Sequence, residues 1–161
     1  MNQDDFDWKA FQKTLKYTDE ELEIFRNDPK RAAAAKKMFS KEVLENDLVV
    51  EVTHSHGCSA RLKPGDKLFF KALSLLDFER STRNWCAHAM LPIPQLASMA
   101  QDRFVSGQHD TEMVYNHFTC GDCGVRAGGW GQVVMKAYLA KREPRKKADE
   151  PVDSSLGSTK V

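Results

Sequence analysis

The side chains able to ligate a metal or attack an electrophile fall into three groups. His54, His56 and Cys58 form a His-x-His-x-Cys run, Cys86 and His88 stand two apart, and His117 precedes the Cys120-x-x-Cys123 pair. Imidazole and thiolate together suit Zn²⁺ or iron better than Mg²⁺ or Ca²⁺, so the candidate metal ligands are His54, His56, Cys58, Cys86, Cys120 and Cys123. Without a metal, the same groups can act as a nucleophile pair, in which His56 draws the Cys58 thiol toward thiolate. The plainer alternative is that the histidines are hydrogen-bonded at a sheet end and the cysteines fill small gaps.

Spacing separates these possibilities only partly. Cys58, Cys86 and Cys120 are divided by 27 and 33 intervening residues, which matches no standard zinc-finger or ferredoxin pattern. Any site must therefore be assembled by the fold. A structural zinc wants four closed protein ligands, whereas a catalytic metal keeps three and an open position. Cys120-x-x-Cys123 suits either chelation or dithiol chemistry. It leads into glycines and then a strand rather than opening a helix after a strand, which favours a ligand or pocket role over dithiol exchange. Residues 117–131 hold five of the nine glycines, the composition of a tight loop around something bound. In that loop Arg126 is a candidate anion contact and Trp130 a candidate apolar wall for a bound ligand or cofactor.

The elements that must position these groups begin with a strand over residues 48–58. Strict alternation places Leu48, Val50, Val52, His54, His56 and Cys58 on one face, and Val49, Glu51, Thr53 and Ser55 on the other. Pro64-Gly65 fits the centre of a type II turn, after which a second strand is predicted over 67–73. The last strand is predicted over 132–139, with Val133, Met135, Ala137 and Leu139 facing inward. Because both outer cysteine groups flank strand ends, His54, His56, Cys58 and Cys120 are expected in one pocket.

Helices precede the first of these strands. Phe6, Trp8, Phe11 and Leu15 are spaced for a helix within 3–16, and Thr18-Asp-Glu-Glu21 is a capping box for a second, with Leu22 and Phe25 inward. Asp28-Pro29 should open a third helix reaching about residue 44, with Met38, Phe39 and Val43 on its buried side. Residues 74–84 read as a polar loop. Pro92 and Pro94 divide the following stretch into a short helix ending near Leu91 and another from Pro94 through Phe104. Residues 105–116, with His109, read as a loop. The expectation is an α+β fold in three parts: a helical N-terminal segment over 1–46, a core over 47–140 with a small, mainly antiparallel sheet and one or two short helices, and a disordered tail over 141–161 with too little apolar surface to fold.

Composition bounds the function classes. At 161 residues and 41% hydrophobic, the chain has the volume for one real core. Net charge is +1; the last 21 residues hold six Lys or Arg against four Asp or Glu, leaving 18 against 19 in the rest. There is no electrostatic case for nucleic acid. No window approaches 18 consecutive apolar residues, and Asp4, Asp5 and Asp7 stand where a leader would be basic, so a cytoplasmic, non-membrane protein is expected. In that compartment four cysteines are thiols, ligands or redox groups rather than structural disulfides.

The order Ser55-His-Gly-Cys58, Lys63-Pro-Gly-Asp-Lys-Leu-Phe69, Cys86, then Cys120 ahead of Gly124-Val-Arg and Gly128-Gly-Trp-Gly131 with a closing Val-rich strand resembles a family of small, largely uncharacterised bacterial proteins, mostly from anaerobes. The resemblance covers roughly 47–140. It implies a compact α+β unit and a role for Cys58, Cys86 and Cys120, but no reaction. The helical N-terminal segment and the charged tail depart from the shorter members. Two function classes remain: a small metal-binding protein or enzyme acting on a small organic molecule, or an accessory subunit that docks on a larger enzyme through its helices.

Overall fold

A computed structural model of the chain describes residues 6–108 and 113–143. The helices begin where the capping chemistry dictates. Helix α1 (Trp8–Leu15) opens on Asp7, whose carboxylate accepts from Ala10 N–H at 2.8 Å. Helix α2 (Asp19–Asn27) starts with the complete Thr18/Glu21 capping box. In α3 (Pro29–Met38), Asp28 accepts from Lys30 and Arg31 N–H with proline in the first turn. The single helix expected as far as residue 44 is interrupted. Ser40 accepts from Val43 N–H and restarts the chain as a separate turn, α4 (Lys41–Leu44). An aromatic cluster of Phe6, Trp8, Phe11, Tyr17, Phe25 and Phe39, with ring centroids 4.8–6.3 Å apart, ties these helices together.

The rest is a five-stranded antiparallel sheet with helices on one face, so the fold is α+β as the sequence implies. Strands β1 (Asn46–His56), β2 (Lys67–Lys71), β3 (Leu75–Leu76), β4 (His117–Thr119) and β5 (Gln132–Lys141) lie in the order β3-β2-β1-β5-β4. Helices α5 (Ala87–Met90) and α6 (Ile93–Val105) cover the face carrying Leu48, Val50, Val52, Leu68, Phe70, Val133, Met135 and Ala137. Helix α6 presents Ile93, Leu96, Ala100 and Phe104 to it at helical spacing. The turn at Pro64-Gly65 forms as expected, with Asp66 N–H donating to Lys63 O at 3.0 Å and Gly65 at φ +93°. Among the described residues no helix is long and apolar enough to cross a membrane.

Several boundaries differ from the sequence reading. The second strand stops at Lys71, because Ala72 and Leu73 turn with φ of 46° and 68° and feed the short β3 inside what reads as loop. A three-residue β4 arises from the stretch that reads as glycine-rich loop. The last strand runs on through Lys141, and Arg142 N–H donates to Glu45 O, so the expected tail boundary at 141 falls inside the fold. The remainder of that tail, 144–161, and His109 lie outside the described residues.

The consequential difference is in β1. Register with β5 slips between Val52 and His54, so Thr53 is an extra residue in a β-bulge, its hydroxyl donating to Val134 O at 3.2 Å. Residues directly opposed across a ladder share a face. Before the bulge, Val52 opposes the buried Met135; after it, Ser55 opposes the buried Val133, while His54 and His56 oppose Val134 and Gln132. The bulge therefore turns both histidines off the core face.

Candidate functional site

Three segments converge beyond the end of the β1–β5 ladder around a cavity of about 50 Å³, whose walls include Cys58, Cys86, His88, Cys120, Asp122 and Trp130. All four cysteines of the chain are free; Cys120 is buried, Cys58 and Cys86 are half-buried, and Cys123 is exposed.

Cys58 reaches the cavity because Gly57 turns the chain with φ +63° where β1 ends. The turn is packed backbone on backbone: a Cβ on Gly57 would sit 2.7 Å from Trp130 O, and one on Gly131 would sit 2.3 Å from Gly57 O. Cys86 immediately precedes α5, whose Ala89 is fully buried in the core, and His88 O accepts from Gly121 N–H at 2.9 Å. That bond ties α5 to the cysteine loop. Cys120 is held against β5 twice, its N–H donating to Val133 O at 2.9 Å and its sulfur accepting from Val133 N–H at 3.3 Å. Its thiol lies 3.7 Å from Asp122 O.

Asp122 organises the loop. Its carboxylate accepts from Gly124 N–H at 3.0 Å, Trp130 N–H at 3.0 Å and Gly131 N–H at 3.1 Å. The Gly124 and Gly131 bonds are the chief reasons its carboxyl is held below the ordinary range; desolvation opposes them, and the Trp130 bond and the nearby His88 imidazole add to the lowering. A Cβ at Gly129 would fall 2.1 Å from Asp122 Oδ1, so the clamp closes only around a glycine there. Cys123 turns the other way, its thiol 3.3 Å from Ala127 O in the short 3₁₀ turn Val125–Ala127.

Of the residues singled out in the sequence, the fold thus gathers Cys58, Cys86, Cys120 and Trp130 at one cavity. His54, His56, Cys123 and Arg126 are not among its walls and are all exposed. The expectation that His54 and His56 share a pocket with Cys58 and Cys120 is corrected by the bulge at Thr53. Asp122 is the contributor that the sequence reading passed over. Its signal was an Asp two residues before a glycine, the pattern of a side chain that closes its own turn.

The donor set, three thiols with an imidazole, has the chemistry for Zn²⁺ or iron. Its placement does not match: among the described residues no three His, Cys, Asp or Glu side chains are disposed to hold one ion. The structure thus presents a thiol pocket without a preformed coordination shell. Comparison with family models, curated proteins and solved structures finds no match to the chain.

Proposed function

We propose that this chain is a small cytosolic thiol-pocket protein that binds one soft or borderline metal ion, Zn²⁺ or iron, through Cys58, Cys86 and Cys120, with His88 on the same cavity wall. One observation carries the reading. Thiols from three separate segments line a space of about 50 Å³, which admits an ion and a water molecule rather than an enclosed organic substrate. Free thiols throughout accord with a reducing compartment. Anaerobic titration with Co²⁺ tests the proposal. Sulfur-to-cobalt charge-transfer bands saturating at one equivalent are expected, and their absence overturns it.

A second reading, an accessory module docking on a larger enzyme, is favoured by the surface near the pocket. Leu91, Val125 and Trp130 are 70%, 65% and 86% exposed, and all three lie on the segments that build the cavity. The cobalt spectrum separates the two. Bands that shift on adding azide mark an open coordination position and a reactive centre, whereas insensitive tetrahedral bands mark a closed structural ion beside a docking surface.

A further inference from the structure

At the other end of β1 from the thiols, a cleft of about 600 Å³ opens beside α4 and the end of β5, within the size range of small-molecule sites. Its floor is ionic. Asp47, 1% exposed, divides its carboxylate between two arginines, Oδ1 accepting from Arg142 Nε at 2.9 Å and Oδ2 from Arg80 Nη2. The buried Asp77 carboxylate lies 3.2 Å from both Lys71 Nζ and Arg80 Nε. Three cations thus meet two anions, leaving one positive charge in excess. Among the described residues, the same cluster leaves Arg142 Nη2 buried without a hydrogen-bond partner. An unpaired guanidinium donor in such a place is costly unless something accepts from it.

The acidic groups at the rim do not fill that role. Glu45 has its carboxylate 3.5 Å from Lys41, and neither it nor Glu143 is paired with Arg142. Lys141, exposed beside Arg142, adds a further cation to the cleft wall, where Glu143 is exposed as well. We infer that this cleft is an anion site, taking a small molecule through its carboxylate or phosphate group. Arg142 Nε is committed to Asp47, so the oxyanion meets the Nη edge of the guanidinium, whose planar pair of donors matches two oxygens of either group. Lys141 contributes charge from the rim. Buried Asp47 acts as a positioning residue that holds Arg142 in place.

The test uses the full chain at constant ionic strength, with the melting temperature followed as inorganic phosphate, acetate or chloride is titrated. A saturable rise of about 3 °C by 10 mM with phosphate or acetate, and not with chloride, is expected for millimolar binding to the native state. The stronger of the two oxyanions identifies the ligand group. Lys141→Gln removes an exposed side chain and Arg142→Lys keeps the charge but loses the fork; both should fold, and each should raise the half-saturating concentration about tenfold. No rise in the parent chain, an equal rise with chloride, or unaltered half-saturation in both variants overturns the inference.

Discussion

Gly57 and Gly131 cross in direct backbone contact, so close that a Cβ on Gly131 would fall 2.3 Å from Gly57 O and 2.8 Å from His56 O. The crossing delivers Cys58 from one strand and Trp130 from the other to the same cavity. Both obstacles are backbone atoms, which cannot swing aside as a side chain would. Gly131→Ala should therefore cost roughly 1–3 kcal/mol, as overpacking does, measured from the urea midpoint. It should also speed alkylation of Cys58. A change within 0.5 kcal/mol, about the effect of an ordinary surface substitution, would show that the crossing is loose.

Asp122 offers a test on its loop. With three N–H donors converging on its carboxylate, Asp122→Ala should accelerate hydrogen exchange at Gly124, Trp130 and Gly131 by about tenfold or more, with β1 and β5 amides little affected. Because the folded carboxyl is held below its unfolded value of about 3.9, its contribution is present above that pH and fades as pH falls through the lowered folded value. Acid titration of the parent chain should thus release those three amides first. Uniform loss of protection across the sheet would contradict the clamp.

Local chemistry was the legible part of this fold. The Thr18/Glu21 box, Asp28-Pro29, Pro64-Gly65 and the alternation of Val133, Met135 and Ala137 each depend on residues close in sequence, and each forms as read. The bulge at Thr53 is different in kind. It is a mismatch between two strands, and nothing in the alternation of residues 48–58 records how β5 counts against them. That one inserted residue turns the two histidines away, while His88 from α5 and Asp122 from the cysteine loop stand among the cavity walls. The strands β3 and β4, of two and three residues, are too short to leave a period. The role of Arg142 was hidden by a different feature: Asp47, its partner, is 95 positions away, so charge density alone read the segment as solvated.

Asp47 gives the sharpest stability prediction. Replacing it by Ala leaves Arg80 and Arg142 facing each other over a buried site without their shared carboxylate. Removing one partner of such a buried ionic cluster costs about 3–5 kcal/mol. Urea unfolding should register that loss. A cost below about 1 kcal/mol would place the cluster in the class of screened surface pairs.

On the sheet face opposite α6, the Tyr138 hydroxyl donates to Glu51 at 2.8 Å, while Lys67 Nζ lies 3.2 Å from that hydroxyl and 3.1 Å from Glu51. Burial first, then the bond to Glu51, raises the Tyr138 phenol; the bond to Glu51 raises Lys67; the bond from Tyr138 lowers Glu51. The raised groups contribute stability below about pH 10, lost as pH climbs through their folded values, and the lowered Glu51 contributes above about pH 4, lost as pH falls. The network is thus at full strength across the neutral range. Tyr138→Phe should cost roughly 1 kcal/mol there. In an absorbance titration, Tyr138 should ionise above the ordinary phenol value, and the variant should lack that late step. A titration curve that Tyr138→Phe leaves without loss of its late part would exclude the network.

The cysteines can be ranked by where the fold sends them. Cys58 faces the cavity from the Gly57 turn, whereas Cys123 points to Ala127 O on the exposed side of its loop. If the cavity is the metal site, Cys58→Ser should weaken Co²⁺ binding by at least about tenfold and diminish the sulfur-to-cobalt band, because a serine hydroxyl is a poor replacement for thiolate at a borderline metal. Cys123→Ser should leave both close to the parent chain. Serine is nearly the size of cysteine and Cys58 is only half-buried, so far-ultraviolet circular dichroism and melting temperature should change little in either variant. Equal losses in the two variants would instead favour a Cys120–Cys123 chelate, with the loop of residues 121–131 opening to turn Cys123 inward. Cobalt binding unchanged in both would remove Cys58 from the site and return it to the role of a small residue filling a gap beneath the sheet.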